Sequence, residues 1–148
     1  MRDTEWFWEG NVVAALASHL KAIGWEIRST ADTLSGEAGP DIQASRSGRM
    51  LIVEAKGYPL TVYARGPNKG RPKRTNPATQ ARHWFAHAIL AALLRQADYA
   101  SAEVSIVLPD FPVYLNLLKR TSPGLSKLGI GVFLVDQFGR AREFDSSQ

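Results

Sequence analysis

Two carboxylates and an ammonium group are set to meet in the first third of the chain. Asp41 opens one short stretch and Glu54 and Lys56 close another, with the turn-forming cluster Ser45-Arg46-Ser47-Gly48-Arg49 between them. Met50-Leu51-Ile52-Val53 is an unbroken apolar run suited to a central strand. A β-hairpin over residues 41–56 with Ser47-Gly48 as its two-residue turn sets Arg46 opposite Arg49, Ala44 opposite Leu51, Ile42 opposite Val53 and Asp41 opposite Glu54. Directly opposed residues share a face, with Cβ atoms about 4.5–5.5 Å apart. Lys56 lies two residues past Glu54 and points the same way. Carboxylates that close repel by about 4 kcal/mol at an effective dielectric constant of about 20. A fold tolerates this when a cation sits between them or one of them holds a proton. An oxygen ligand set without Cys or a local His favours Mg²⁺ or Mn²⁺ over zinc. The plain alternative is a surface hairpin with an ion pair, because Glu-x-Lys by itself is common. The apolar run before Glu54 and the opposition of Asp41 argue against it.

Other residues could join this chemistry. Glu9 lies three and seven residues before Val12 and Leu16, so it shares the core-facing stripe of a first helix. A carboxylate there is costly unless paired, wet or metal-linked; the alternative is an exposed first turn. Glu5 has the same phase nearer the end. Gln80 opens a second long helix and could aim its amide at a phosphate or a metal-bound water, or simply be solvated. His83 and His87 are four apart, as helical zinc ligands can be, but lack a recognisable third ligand. Trp6, Phe7, Trp8, Trp84 and Phe85 read as core rings rather than base-stacking platforms.

The charge is uneven. The net charge is +4, yet residues 1–54 sum to −3, residues 55–97 to +8 and residues 98–148 to −1. The middle segment holds Lys56, Arg65, Lys69, Arg71, Lys73, Arg74, Arg82 and Arg95 and no acid. Such a stretch suits a polyanion partner, or is a solvated basic loop.

These side chains need a frame, and 148 residues with 45% hydrophobic content suffice for one domain with its own core. The absence of cysteine excludes a disulfide scaffold, a thiolate zinc site and a cysteine nucleophile. No apolar run approaches the ~18 residues of a membrane span, and Met1-Arg2-Asp3-Thr4-Glu5-Trp6 does not read as a signal peptide. The expectation is a soluble, cytoplasmic protein. Apolar spacing predicts a helix over 5–23 stopped by Gly24, a strand over 25–30, the hairpin, and a Gly/Pro/basic loop over 57–77. A helix follows from Pro77 to about Gln96, capped by Thr75 or Asn76 and mostly buried because Ala88–Leu94 is apolar nearly all round. Then come a strand over 104–108, a helix over 110–121, a strand over 131–135 and an edge strand within 140–145. The order α-β-β-β-α-β-α-β implies an α/β fold, a mixed sheet flanked by helices.

Gly39-Pro40-Asp41-Ile42, followed by Glu54-Ala55-Lys56, resembles the PD-(D/E)xK (restriction-endonuclease-like) nuclease superfamily. The segment Gln80-Ala81-Arg82-His83-Trp84 resembles the later glutamine element of its exonuclease branches, with Trp84 where those carry tyrosine. The small replication-repair nucleases and Holliday-junction resolvases look nearest. The resemblance implies an αβββαβ core over about residues 5–108, with 109–148 as a C-terminal α-β extension of the same domain. It implies Mg²⁺- or Mn²⁺-dependent hydrolysis of nucleic-acid phosphodiesters, DNA above all. Asp41, Glu54 and the backbone carbonyl of Ala55 would hold the metal, with Glu9 direct or through water. Lys56 would orient the attacking water or neutralise the transition state, and Gln80 would assist. The loop residues Arg65, Lys69, Arg71, Lys73 and Arg74 would grip phosphates, five contacts giving a salt slope of about −4.5, with Arg82 also binding nucleic acid. By analogy a homodimer would serve paired cuts. Two alternatives stand beside this reading: a non-catalytic nucleic-acid-binding module on the same fold, and an interaction subunit using Trp6-Phe7-Trp8 or the helix with Tyr114, Leu115, Leu117 and Leu118.

Overall fold

The computed structural model describes residues 5–31, 39–62, 66–72 and 76–145. Its elements are α1 (Glu9–Ala22), β1 (Glu26–Thr30), β2 (Ile42–Arg46), β3 (Arg49–Ala55), α2 (Pro77–Asp98), β4 (Glu103–Pro109), α3 (Pro112–Leu128), β5 (Ile130–Val135) and β6 (Ala141–Glu143). The strands form one sheet in the order β1-β2-β3-β4-β5-β6. The pairs β1–β2 and β2–β3 are antiparallel, β3–β4 and β4–β5 are parallel, and β6 returns antiparallel to β5. The fold is thus mixed α/β, with helices on both faces of a central sheet.

The hairpin has the expected register: Ile42 opposes Val53, Ala44 opposes Leu51 and Arg46 opposes Arg49. Ser47 and Gly48 both have positive φ, 51° and 79°. That is the geometry of a tight two-residue turn whose twist matches the strands. β3 then alternates. Leu51, Val53 and Ala55 join the core under α1 with Val12, Leu16 and Leu20, whereas Ile52 joins the core under α2 and α3 with Phe85, Ile106 and Tyr114. Glu54 and Lys56 share the side of Ile52, and so face α2.

The helices depart from expectation in detail. α1 begins at Glu9 rather than at residue 5, and residues 5–8 form a turn tied by Trp8 N–H to the Glu5 carbonyl (3.0 Å). α2 starts as predicted, with the Asn76 side chain accepting from Ala78 N–H (2.8 Å) and Pro77 in the first turn. It is not mostly buried, however. It presses Ala81, Phe85, Ala88 and Ala92 to the sheet and leaves Leu90 and Leu94 more than half exposed. Alanine at helical spacing allows close approach, so the long side chains fall on the outer side. α3 runs on to Leu128 through Pro123 instead of stopping near residue 121. Pro123 has no amide for the Lys119 carbonyl, and the Ser122 hydroxyl donates to that carbonyl instead (3.4 Å). Burial of Leu125 holds the continued turn.

The sheet margins are modest. β1 is mostly exposed and its pairing with β2 is broken by a bulge between Ile27 and Ser29, while β6 has three residues.

Candidate functional site

Asp41 immediately precedes β2 and Glu54 is the penultimate residue of β3, at the end of the sheet where the parallel strands finish. Strand pairing brings them together as expected. The Asp41 amide donates to Glu54 Oε2 (3.1 Å), and the Ala55 amide donates to Asp41 Oδ2 (2.8 Å). These reciprocal bonds knit the open end of the hairpin. Glu54 is buried, with 8% of its surface exposed. Its second oxygen, Oε1, accepts from Arg95 Nε of α2 at 3.1 Å, a partly buried ion pair. Burial pushes the Asp41 carboxyl up to about 6; the bond from the Ala55 amide and the Lys56 charge oppose the rise, and the Glu54 charge adds to it. Lys56 continues the β3–β4 pairing, its amide donating to the Val107 carbonyl (3.2 Å).

The other predicted residues do not join the Asp41–Glu54 hydrogen bonds among the described contacts. Glu9 heads α1 with its backbone nitrogen beside Gly57, and its charge bears on Tyr114. Gln80 sits in the first turns of α2, where its Oε1 is buried and meets no donor among the described residues. Lys69, Arg71 and Arg82 are exposed. Lys69 and Arg71 lie in a turned segment whose amides donate to the Gly66 and Asn68 carbonyls. Arg65, Lys73 and Arg74 lie outside the described residues. His83 and His87 are exposed on α2.

Sequence reasoning missed three features here. Arg95, the partner of Glu54, is 41 positions away and carries no local signal. Gly57 is forced by space: a Cβ there would stand 2.5 Å from the Phe7 carbonyl oxygen and 2.8 Å from the Glu9 nitrogen. Beside it, Tyr114 is buried in α3 and donates its hydroxyl to the Gly57 carbonyl (2.8 Å). Burial pushes that phenol up, with the nearby Tyr58 and Glu9 charges adding to the effect. The third feature is a set of rings. Phe111 stacks on Tyr58 (centroids 3.9 Å apart, planes at 3°) and on Trp6 (5.3 Å, 6°). Phe7 meets both Trp6 and Phe111 edge-on.

Fold and site together define the class only as a mixed α/β protein with a carboxylate-paired hairpin at the strand ends. No family model matches the chain, and no curated protein sequence matches it. Solved structures do share the fold. An XisH family protein from Nostoc punctiforme PCC 73102 superimposes with a TM-score of 0.53 at 12% identity, covering 90% of this chain and 98% of that one. An fdxN element excision controlling factor protein from Anabaena variabilis gives 0.53 at 13% identity with the same coverage. At such identities the likeness is one of fold.

The proteins that share the fold are named as an XisH family protein and an excision controlling factor, neither as a PD-(D/E)xK nuclease, and the nuclease resemblance is withdrawn. The metal-dependent hydrolase reading falls with it. Among the described residues no group of three or more His, Cys, Asp or Glu could hold a metal ion. Mg²⁺ and Mn²⁺ are therefore withdrawn as cofactors, as are the nuclease and metal-binding roles of Asp41, Glu54, Ala55, Lys56, Glu9 and Gln80. The physical reason lies in the bonds. Both Glu54 oxygens and one Asp41 oxygen already accept hydrogen bonds, from the Asp41 amide, Arg95 and the Ala55 amide. Arg95, paired with Glu54, offsets part of the repulsion without a metal. Among the described residues no helix is long and apolar enough to cross a membrane.

Proposed function

We propose that this chain is a non-catalytic nucleic-acid-binding module, acting on DNA as a single αβββαβ-type domain with a C-terminal extension. The observation that carries this reading is the acid-free run of residues 55–97 with its eight Lys and Arg, of which Arg95 alone is paired with an acid, Glu54, among the described residues. A stretch with that excess of positive charge and no acid of its own attracts the phosphate backbone whatever the sequence. Lys69, Arg71 and Arg82 present their charge to solvent, as phosphate contact requires. The role in one fold neighbour's name, controlling the excision of an element, is of a kind that nucleic-acid binding would serve. Nothing in the chain resembles a base-reading module, so these contacts position the protein rather than specify a sequence.

The test is fluorescence anisotropy on labelled duplex DNA across a salt titration. Replacing Lys69 and Arg71 by Gln should weaken binding equally on unrelated sequences and flatten the log–log salt slope by about 2. Wild-type protein that fails to bind at low salt, or a double variant with an unchanged slope, would refute the assignment.

A further inference from the structure

Three aromatic rings occupy the loops beyond the ends of the parallel strands. Trp6 lies in the turn before α1, Tyr58 follows β3, and Phe111 links β4 to α3. This is where open α/β sheets bind ligands, in the crevice outside the carboxyl ends of the strands. Rings that merely fill a core are enclosed, as Phe85 and Tyr114 are. Trp6, Tyr58 and Phe111 are only half-buried. Tyr58 and Phe111 lean on the core with their inner sides. Trp6 belongs to neither core cluster among the described residues.

Their planes are nearly parallel, 3° between Tyr58 and Phe111 and 6° between Phe111 and Trp6. Phe111 lies between its two neighbours, with Tyr114 edge-on to Tyr58 (5.4 Å, 83°) and Phe7 edge-on to Trp6 (5.7 Å, 88°). Trp6 is the end of the stack that lies outside both core clusters among the described residues. The stack is held before any ligand arrives. The Tyr58 amide donates to the Phe7 carbonyl (3.1 Å), and Asn11 Nδ2 donates to the Glu5 carbonyl (2.8 Å) on the other side of Trp6. The acid-free run begins at the same place, with Lys56 two residues before Tyr58.

We infer that the Trp6–Phe111–Tyr58 stack is a platform for an unpaired nucleobase of single-stranded DNA, with Lys56, two residues before Tyr58, taking a flanking phosphate. This rests on the nucleic-acid reading and narrows it to strands whose bases are free to stack. Every base has a π-face, so recognition of this kind is tolerant of sequence. The pairing of a ring platform with adjoining positive charge fits a base and its phosphate together, which a purely apolar partner would not use.

The experiment compares fluorescein-labelled single-stranded DNA of about 12 nucleotides with an abasic strand of the same length and phosphate count. Intact strand should bind wild type about tenfold more tightly than abasic strand, the ratio that corresponds to about 1.4 kcal/mol of stacking. Trp6→Leu should erase most of that difference, and Trp6→Phe should restore it. Equal affinity of wild type for the two strands overturns the platform while leaving the binding module standing, and so does a difference that survives in a folded Trp6→Leu protein. Binding of neither strand overturns the module itself. The wild-type comparison decides even where a variant is unstable in a thermal melt.

Discussion

Replacing Asp41 by asparagine should make the protein more stable at neutral pH. In the native hairpin Asp41 is held beside Glu54, and burial lifts its pKa from the ordinary 3.8 to about 6. Between those values the folded chain binds more protons than the unfolded chain. Stability therefore declines as pH rises through that window, and the loss is complete above about 6. A shift of about two units corresponds to ~3 kcal/mol, which partial solvent exposure of the carboxyl reduces to about 1–2 kcal/mol. The Asp41→Asn side chain keeps an oxygen to accept from the Ala55 amide and carries no charge toward Glu54. The variant should gain about 1–2 kcal/mol at pH 7, raising Tm by about 3–6 °C for a chain this size. Urea melts of both proteins between pH 4 and 8 measure it. Wild type should lose stability from pH 4 to 6, and the variant should lose much less. A variant less stable than wild type at pH 7, or two parallel pH profiles, would show that the Asp41–Glu54 pair is not strained by its charge.

Two further substitutions probe the same end of the sheet. Gly57→Ala places a methyl group 2.5 Å from the Phe7 carbonyl oxygen, so the turn before α1 must move. A loss of about 1–3 kcal/mol in a denaturant melt is expected, and an unchanged midpoint would mean that the approach of residues 5–9 is loose. Arg95→Met keeps the apolar stem but removes the cation from buried Glu54. It should cost about 2–3 kcal/mol at pH 7, as denaturant melts of the two proteins would record, and an unchanged midpoint would mean that the ion pair adds nothing to the fold.

The hairpin was legible because its information is local. A positive-φ pair at Ser47-Gly48 and a two-residue period fix the register, and the register alone carries Asp41 to Glu54. The order of elements was legible for the same reason. What that pair does was not, because its meaning depends on Arg95, which reaches it only through the packing of α2 on the sheet. A short Asp…Glu-x-Lys pattern is satisfied equally by a hairpin clasp and by a metal site; the third group decides, and it is set by tertiary structure. Burial of α2 was misjudged because a run of apolar residues does not say which side faces inward. The alanines at 81, 88 and 92 did. The rings of Trp6, Tyr58 and Phe111 lie far apart in the chain, and only the strand ends bring them into one stack.

The two outermost strands bear on how the molecule keeps to itself. An unpaired strand border is a template onto which another chain can zip, and long flat borders invite fibres. Here one border is kinked by the Ile27–Ser29 irregularity and carries the charged Glu26–Arg28 pair, and the other offers only Ala141–Glu143. Neither gives an incoming backbone a long straight ladder. The fold can therefore keep a central strand, β4, buried from Val104 to Pro109 without exposing a growth point for aggregation.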